Sequence, residues 1–453
     1  MTDTDDRTPA AARAEPVAPS GPPRFASLRL SALVVVLIAV GWFWPWVLVT
    51  ILGLVVMIFL HELGHYVMAK RAGMLVTEFF LGFGPKLWSF RRGETEYGIK
   101  LIPAGAYVKI IGMHNLEAVP PEVEARSYRQ KSFGQRVRVA VAGSSMHFLL
   151  ALVLIFVSMT AVGTPGGHKF LPSPSKWVVG EVTPGSAAAE AGLQQYDKLL
   201  SIDGHGVDTF KDLRPVVQPL KDHRVEIRWL HDGVTRSATV KLREFTQKGQ
   251  GKGCCLGIGE GQEPNRRVNP VAAVPGAFQG FGEATVVSLG AFGKVFSPSG
   301  ISNFAGLVAD GGAKGQSTAH QTSSADSSAT TAPSNSSSSA HTSAEENRPI
   351  SIFGVVQAGS TIGSHGAGSL LFFFALVNIF IGIFNLVPML PFDGGHVAIA
   401  VYEKVQEVRQ RRTTRYFADI SRLLPVTYMV VMVLGLLFVS TAYLDLVDPI
   451  LGK

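Results

Sequence analysis

Charged residues are scarce in this chain of 453 residues. Only 17% of the residues are Asp, Glu, Lys or Arg, compared with about 25% in a typical soluble domain. Hydrophobic residues make up 47% of the chain, and many of them are gathered into long uncharged runs. This composition excludes a fully soluble protein, a disordered chain and a coiled coil. It indicates a membrane protein with soluble parts.

Cysteine is almost missing: the chain has only two, and they are neighbours, Cys254 and Cys255. Neighbouring cysteines rarely pair with each other, because the geometry of such a disulfide is strained. Two cysteines also cannot form a disulfide framework or a zinc site built from cysteines. We therefore expect both to be incidental residues on a loop, and a lone metal-binding or redox pair is the alternative.

Four apolar runs are long enough to cross a membrane at about 20 residues per span. They lie near Val47–Ala69, Val139–Val162, Ser369–Met389 and Leu423–Tyr443. A shorter run at Leu30–Phe43 precedes them, and it is either a short span that turns into the next run or the start of one long tilted helix. The sequence thus predicts a polytopic α-helical membrane protein with four long spans, and a fifth N-terminal span if the short run crosses.

The positive charges are distributed unevenly around these runs, and the formal net charge is +7. Lysines and arginines follow the first long run, precede the second and fill the segment between the last two. By the positive-inside rule these segments face the cytoplasm, and residues 163–367 lie outside. A basic patch interleaved with aromatic residues is missing, so we expect a lipid bilayer but no nucleic acid as a partner.

The motif His61-Glu62-Leu63-Gly64-His65 lies at the end of the first long run. On a helix, residues four apart share one face, so both imidazoles can bind one zinc ion. Glu62 can then act as the general base toward a metal-activated water. Polar side chains within a bilayer are costly and need partners. That cost favours a metal site over histidines that merely lie at the membrane interface.

Two histidines leave a zinc site one protein ligand short. The strongest candidate for the third ligand is Asp393, within Asn385–His396 (NLVPMLPFDGGH). The predicted topology places this carboxylate at the same membrane depth as the two histidines. The two prolines of the segment interrupt the helix, and its glycines allow a tight turn. His396 is an alternative ligand, and an ordinary turn or capping role for Asp393 is the alternative to metal binding.

The two motifs and the order of the apolar runs resemble the site-2 protease family of intramembrane zinc metalloproteases. The closer similarity is to the bacterial group with an extracytoplasmic PDZ domain, and it covers Val47 to the C-terminus apart from a Ser-rich insert. The resemblance implies that Zn²⁺ binds to His61, His65 and Asp393. It also implies that Glu62 is catalytic and that Asn385 helps to hold the substrate backbone.

The stretch Gly93–Lys109 resembles the membrane-associated β-hairpin of that family. From the residues alone, Tyr97–Ile102 and Ala106–Ile110 are strand-like around a Pro-Ala-Gly turn. An open strand edge at Tyr107 and Val108 can pair with an unwound substrate segment. A plain surface hairpin is the alternative.

Residues Lys176–Arg243 alternate strand-like and helical patterns, which predicts a small α/β module. The segments Gly185–Leu193 and Asp197–Gly204 resemble a PDZ domain, although Gln195-Tyr196 stands where Pro-Gly is usual. PDZ grooves bind a peptide or protein ligand by strand addition. We therefore expect an extracytoplasmic PDZ-like domain that serves substrate selection, size exclusion or regulation.

One departure from the family lies in the second long run. Where the family often has Gly-Pro-x-x-Asn, this chain has Gly143-Ser144-Ser145-Met146-His147. His147 is a polar group in a membrane span, so it can replace the Asn as a hydrogen-bond partner or perturb the zinc site.

Composition and motifs together divide the chain into six parts. These are a disordered cytoplasmic tail (1–29), an N-terminal membrane segment with the HELGH motif and the hairpin (30–135), a transmembrane helix (136–165), the PDZ-like domain (166–246), an extracytoplasmic linker (247–350) with a Ser-rich insert (311–349), and a C-terminal membrane core with the Asp393 motif (351–453).

The resemblance implies an intramembrane zinc metalloendopeptidase of regulated intramembrane proteolysis. Its substrates are expected to be single-pass membrane proteins, such as anti-sigma factors, that a site-1 protease has cut first and that are hydrolysed within or near the transmembrane segment. The active site is expected toward the cytoplasmic side of the cell membrane. Two alternatives are a catalytically silent PDZ-containing membrane scaffold and a zinc transporter or sensor. A transporter would need polar groups along a path through the bilayer.

Overall fold

The computed structural model describes residues 26–113, 118–165, 177–243, 245–247, 251–253, 255–306, 351–364, 366–411 and 414–447. Most of the predicted N-terminal tail and the whole Ser-rich insert, 311–349, lie outside these ranges. The helices are α1 (Ala26–Phe43), α2 (Pro45–Arg71), α3 (Pro121–Glu124), α4 (Phe133–Val157), α5 (Ala187–Ala191), α6 (Phe210–Val217), α7 (Pro270–Val295), α8 (Ile352–Ser364), α9 (Ala367–Asn385), α10 (Asp393–Arg409) and α11 (Leu424–Val447).

The strands fall into a hairpin and a separate α/β module. They are β1 (Val76–Arg92), β2 (Thr95–Ile110), β3 (Thr164–Pro165), β4 (Trp177–Val182), β5 (Lys198–Ile202), β6 (His205–Gly206), β7 (Arg224–His231), β8 (Val234–Lys241), β9 (Phe245–Gln247), β10 (Gly251–Gly253), β11 (Ile258–Gln262) and β12 (Asn265–Arg266).

Four helices in the described part of the chain are long and apolar enough to cross a membrane. Their bounds are Pro45–Arg71, Phe133–Val162, Ala367–Asn385 and Ile420–Asp445. Each contains most of one predicted run, so the prediction of four long spans is confirmed.

The short first run belongs to a separate helix, α1, whose apolar part Ser31–Phe43 is shorter than a span. Trp44 leaves the helical conformation and Pro45 begins α2, so the chain turns within one residue. Both α2 and β1 are in contact with α1, which indicates that α1 folds back along α2 rather than extending it.

The helix α4 lies at the centre of the bundle, in contact with α2, α7, α9 and α10. The close approach of α2 and α4 depends on glycine, which has no side chain. A Cβ added at Gly64 of α2 would lie 2.6 Å from the Ala142 carbonyl oxygen of α4. Small residues at helix crossings allow this distance, because dispersion contacts between backbones hold membrane helices together.

The predicted turn at Pro103-Ala104-Gly105 is wrong, because these residues lie within β2 and the hairpin turns at Gly93-Glu94. The two predicted strands do not pair with each other, since each of them pairs with β1. Phe79 of β1 lies opposite both Val108 and Tyr97 of β2, and Tyr97 also lies opposite Phe90. The sheet is therefore ordered Val108, Phe79, Tyr97, Phe90 across its width. The segment around Val108 forms one edge of the sheet, and β2 lies against α2.

The α/β module comprises the described residues between Trp177 and Gln262. Its four-stranded antiparallel sheet has the order β6-β5-β7-β8. The strand β4 pairs with β11, which lies beyond the boundary at 246 predicted for this domain. The folded module therefore extends to Gln262, because its first strand needs a partner from farther along the chain.

The expectation of unpaired cysteines is wrong. Cys255 is disulfide-bonded. Cys255 is fully buried in the hydrophobic core of the module rather than placed on a loop surface. Cys254 lies outside the described residues.

A second difference concerns the predicted linker 247–350, which contains the 26-residue helix α7. This helix packs against α4 and α9 through a stripe of small residues. The stripe consists of Ala273, Ala277, Gly280, Ala284 and Ser288. Part of the predicted linker therefore belongs to the helical bundle.

Candidate metal centre

The helix α2 carries His61, Glu62 and His65 in its C-terminal half. The two histidines are four residues apart, so they lie on the same face of the helix. Both are buried, with 8% and 4% of their surface exposed. Their Nε2 atoms are 3.2 Å apart, which is close enough for both to bind one ion.

Asp393 reaches the same place from the other end of the sequence, as the first residue of α10. The chain folds back on itself between α9 and α10, and this close approach requires the two glycines that follow Asp393. A Cβ at Gly394 would lie 2.3 Å from the Leu386 carbonyl oxygen, and one at Gly395 would lie 2.6 Å from the Leu390 nitrogen.

The three side chains form a nearly equilateral triangle of ligand atoms. Asp393 Oδ2 lies 3.3 Å from His61 Nε2 and 3.2 Å from His65 Nε2. A tetrahedral zinc ion with bonds of about 2.0–2.1 Å separates its ligand atoms by about 3.3–3.4 Å. The triangle therefore has the dimensions of three corners of a zinc tetrahedron.

The environment of Asp393 also fits a metal ligand. Its Oδ2 is buried and has no hydrogen-bond partner, which is costly for a carboxylate unless a cation compensates. A carboxylate ligand binds a metal ion in its ionised form, so a cation at this position would compensate the buried charge of Asp393.

His65 is oriented by α4. Its Nδ1 lies 2.7 Å from the carbonyl oxygen of Val139. A carbonyl only accepts hydrogen bonds, so Nδ1 carries the proton and Nε2 keeps its lone pair toward the triangle. Metal-binding histidines are commonly oriented in this way.

Glu62 lies beside the triangle, and the backbone of Val108 is close enough to act on its carboxylate. Val108 belongs to the edge segment of the hairpin sheet, and β2 lies against α2. The sheet edge therefore lies beside the Glu62 carboxylate. This contact places one of the two predicted edge residues at the site.

The side chain of Tyr107 is directed elsewhere. Its hydroxyl donates to Glu78 and accepts from Lys100 Nζ at 2.8 Å, and its ring stacks on Phe80. Burial and the neighbouring Glu78 raise the pKa of the Tyr107 hydroxyl. The described contacts of this side chain stabilise the hairpin.

Comparison with known proteins agrees with this geometry. Residues 49–428 match the model of peptidase family M50. The chain belongs to peptidase family M50. It is 30% identical over 425 residues to zinc metalloprotease Rip1 of Mycolicibacterium smegmatis, which covers 88% of this chain and 96% of that protein. It is 31% identical over 429 residues to zinc metalloprotease Rip1 of Mycobacterium tuberculosis, with the same two shares.

The resemblance to the site-2 protease family is thereby confirmed. This M50 peptidase is a zinc metalloprotease and a multi-pass membrane protein, as its relatives and its four apolar helices show. Zinc binding is consistent with the geometry of the site. Among the described residues, His61, His65 and Asp393 form the one group of potential ligands whose ligand atoms lie within 4.8 Å of one another.

Two other residues of the Asp393 motif, His396 and Asn385, were also candidates for the site. His396 is buried and its ring lies 6.3 Å from that of Tyr128, and it is not among the three converging ligands. Asn385 is half-buried at the end of α9, eight residues before Asp393. The ranking of Asp393 above His396 thus agrees with the geometry.

Sequence reasoning missed two contributions to the site. A Cβ added at Gly143 would lie 2.4 Å from both His61 Cε1 and His65 Nε2, so only glycine fits behind the imidazoles. Asn378 of α9 is fully buried and lies 2.8 Å from His147 Nδ1. The signal for Asn378 was present, because an amide in an apolar span needs a partner.

Proposed function

We propose that this M50 peptidase hydrolyses peptide bonds within or near the transmembrane segments of single-pass membrane proteins. The observation that carries the proposal is a triangle of potential metal ligands, His61, His65 and Asp393, next to helices that are long and apolar enough to cross a membrane. A protease site at that depth acts on chains that lie in the bilayer.

The proposed roles follow from the chemistry of each side chain. His61, His65 and Asp393 hold the zinc ion through two nitrogens and one oxygen, a ligand set that zinc commonly accepts. When bound, zinc supplies Lewis-acid activation of a water molecule and of the scissile carbonyl. Glu62 accepts a proton from the attacking water and later delivers it to the leaving amine.

Substrate binding is proposed to use the edge of the hairpin. The peptide bonds of a helical substrate are shielded by their own turn, so the segment must extend before water can attack. An extended segment can add to the sheet edge at Tyr107 and Val108 by backbone hydrogen bonding. Asn385, at the end of α9, is proposed to hold the substrate backbone on the Asp393 side.

The proposed topology places the metal centre toward the cytoplasmic side and the α/β module outside the cell membrane, in agreement with the positive-inside rule. The module is proposed to be a PDZ-like domain with a peptide or protein ligand. Substrates are proposed to include anti-sigma factors already shortened by a site-1 protease. These details rest on the resemblance, the charge distribution and the antiparallel α/β architecture of the module.

The test is cleavage of single-span substrates by the purified full-length protein in proteoliposomes. Each substrate is supplied with and without its extracytoplasmic domain, and the product termini are identified by mass spectrometry. We expect new termini within or next to the transmembrane segment, mainly from the shortened substrates. Cleavage confined to soluble peptides would contradict the proposed substrate class. No cleavage of any substrate would favour the scaffold alternative.

A further inference from the structure

His147 of α4 lies next to the metal centre and is 2% exposed. Its Nδ1 lies 2.8 Å from Oδ1 of Asn378, a residue of α9 that is fully buried. Two buried polar side chains from different helices therefore satisfy each other within the apolar bundle. Such a pair is costly unless its geometry is held, because an unpaired polar group in a bilayer has no water to replace its partner.

The hydrogen-bond pattern fixes the orientation of both groups. Asn378 Nδ2 donates to the Phe374 carbonyl oxygen at 2.7 Å, so the amide nitrogen is occupied and Oδ1 faces His147. An amide oxygen only accepts, so Nδ1 of His147 carries a proton. The imidazole of His147 is thus anchored to α9 at one defined nitrogen.

The anchored ring packs on a proposed zinc ligand. The ring centroids of His147 and His61 are 4.9 Å apart, with 43° between the ring planes. Gly143, one turn earlier on α4, lies against the same imidazole. His61 is therefore bounded by two residues of a single helix face.

The two histidine ligands differ in how they are held. His65 Nδ1 is bonded to a backbone carbonyl, whereas His61 Nδ1 is buried without a full hydrogen bond and its ring faces the Gly143 backbone. Zinc-binding histidines usually use their second nitrogen for such a bond, which fixes the ring. For His61 that orientation comes from packing against His147 and Gly143.

We propose that His147, anchored by Asn378, is the positioning residue for the His61 imidazole and thereby sets the affinity and geometry of the metal site. The inference rests on the proposed role of His61 as a zinc ligand. His147 is not one of the three residues whose ligand atoms converge, so it acts through His61 rather than on the ion. The departure of this chain from the Gly-Pro-x-x-Asn pattern thereby has a structural role.

The test measures metal binding by the purified full-length protein in detergent micelles. Zinc affinity is measured by competition with a chelating dye, and the visible absorption spectrum of the Co²⁺-substituted protein reports ligand geometry. The variants are His147→Ala, which removes the ring, and Asn378→Leu, which removes its anchor. Ser145→Ala is the matched control, because Ser145 lies on the exposed face of α4 and bonds only within its own helix at Val141.

We expect His147→Ala to weaken zinc binding by about 10- to 100-fold, the range for residues that orient metal ligands. We also expect Asn378→Leu to weaken zinc binding, and both variants to shift the Co²⁺ spectrum. In the double variant, the fold-loss in zinc affinity should be smaller than the product of the two single fold-losses, because the residues act as a pair. Ser145→Ala should match the wild type. A protein that was merely less stable would keep the wild-type spectrum on the Co²⁺ that it binds.

Two results would separate failure of this inference from failure of the proposed function. Zinc affinity within twofold of wild type in His147→Ala, with an unchanged Co²⁺ spectrum, would overturn the inference alone. Zinc binding that survives His61→Ala would overturn the proposed metal site itself. If His147→Ala does not fold, His147→Phe keeps the ring volume without the bond to Asn378. An unchanged spectrum in that variant and in Asn378→Leu would likewise overturn the inference.

Discussion

Gly143 gives the sharpest prediction at the scale of single residues. A methyl group at this position would lie 2.4 Å from two imidazole atoms, and α4 is packed on several sides and cannot easily move away. We expect Gly143→Ala to displace the histidines and lower zinc affinity by about 10-fold or more. The measurement is zinc affinity by chelator competition on the folded protein.

Gly134 provides the control for this substitution. It belongs to the same helix, and a Cβ there would meet nothing within 4 Å. Replacing glycine by alanine in a helix is favourable by roughly 1 kcal/mol when there is space. Gly134→Ala should therefore keep wild-type zinc affinity, and equal losses in both variants would show that the contact with the imidazoles is not the cause.

The residues of the metal triangle were predictable because their chemistry leaves a pattern in the sequence. The sequence alone shows two histidines four residues apart at the end of an apolar run. It also shows a carboxylate at the same predicted membrane depth. The supporting contacts were not predictable. The contacts made by the Val139 carbonyl and by the Val108 backbone involve main-chain groups, so no side chain marks them in the sequence.

At the scale of elements, a buried ion pair joins α10 to α4. Arg136 of α4 donates to Glu403 of α10, and Glu403 also accepts from the Ala418 N–H at 2.8 Å. Arg136 is 6% exposed and Glu403 is 0% exposed. Removing one partner leaves an uncompensated buried charge, so we expect Arg136→Met to lower the free energy of unfolding by about 3–5 kcal/mol. Unfolding by SDS titration in mixed micelles measures this change.

A partly exposed pair on the same helix is the matched control. Lys404 and Glu407 are three residues apart on α10, and their side chains are 50% and 18% exposed. Ion pairs at the surface contribute about 0–1 kcal/mol, so Lys404→Ala should have much less effect than Arg136→Met. The exchanged pair Arg136→Glu with Glu403→Arg should recover part of the loss. Equal stability of Arg136→Met and Lys404→Ala would contradict the anchoring role.

Glu94 joins the hairpin turn to the end of α2 and gives a pH-dependent prediction. It accepts from Arg126 at 2.8 Å and from Lys70 at 2.6 Å. These hydrogen bonds, that of Arg126 above all, lower the pKa of Glu94 to about 2. Its stabilising contribution is therefore complete above the ordinary carboxyl pKa of about 4.3 and is lost as the pH falls toward about 2.

Thermal unfolding of the wild type and Glu94→Gln checks whether the stabilisation by Glu94 is lost at low pH. The wild type should melt at a higher temperature at pH 7, and the difference should shrink as the pH falls from about 4 to about 2. The exposed Glu122 is the control, and Glu122→Gln should match the wild type at both ends of the range. A difference between wild type and Glu94→Gln that persists at the lowest pH would contradict the ion-pair account.

The helix α7 shows which elements escape prediction from hydropathy. Its buried face consists of alanine, glycine and serine, and its sequence also contains Pro275, Gln279 and Glu283. Small residues carry little hydrophobic signal, although they allow the close packing that holds membrane helices together. The four long spans were predictable because an uninterrupted apolar run of about 20 residues has few other stable placements.

At the scale of the whole molecule, the sequence predicts the order of the membrane spans but not which of their ends meet in space. The distance from His65 to Asp393 is 3.2 Å in space and more than three hundred residues along the chain. The double pairing of the hairpin and the partnership of β4 with β11 likewise depend on register and on contacts distant in sequence. Such contacts are set by packing, which composition and periodicity do not encode.

The central claim is that one membrane-embedded site, with zinc on His61, His65 and Asp393 and with Glu62 as proton carrier, performs the hydrolysis. The most direct measurement compares the wild type with Glu62→Gln and Asp393→Asn in proteoliposomes, with bound zinc and cleavage of a single-span substrate quantified in the same samples. We expect Glu62→Gln to keep its zinc and lose cleavage by at least about 100-fold. We expect Asp393→Asn to lose both. Cleavage by Glu62→Gln at the wild-type rate, or full zinc occupancy in Asp393→Asn, would contradict the account.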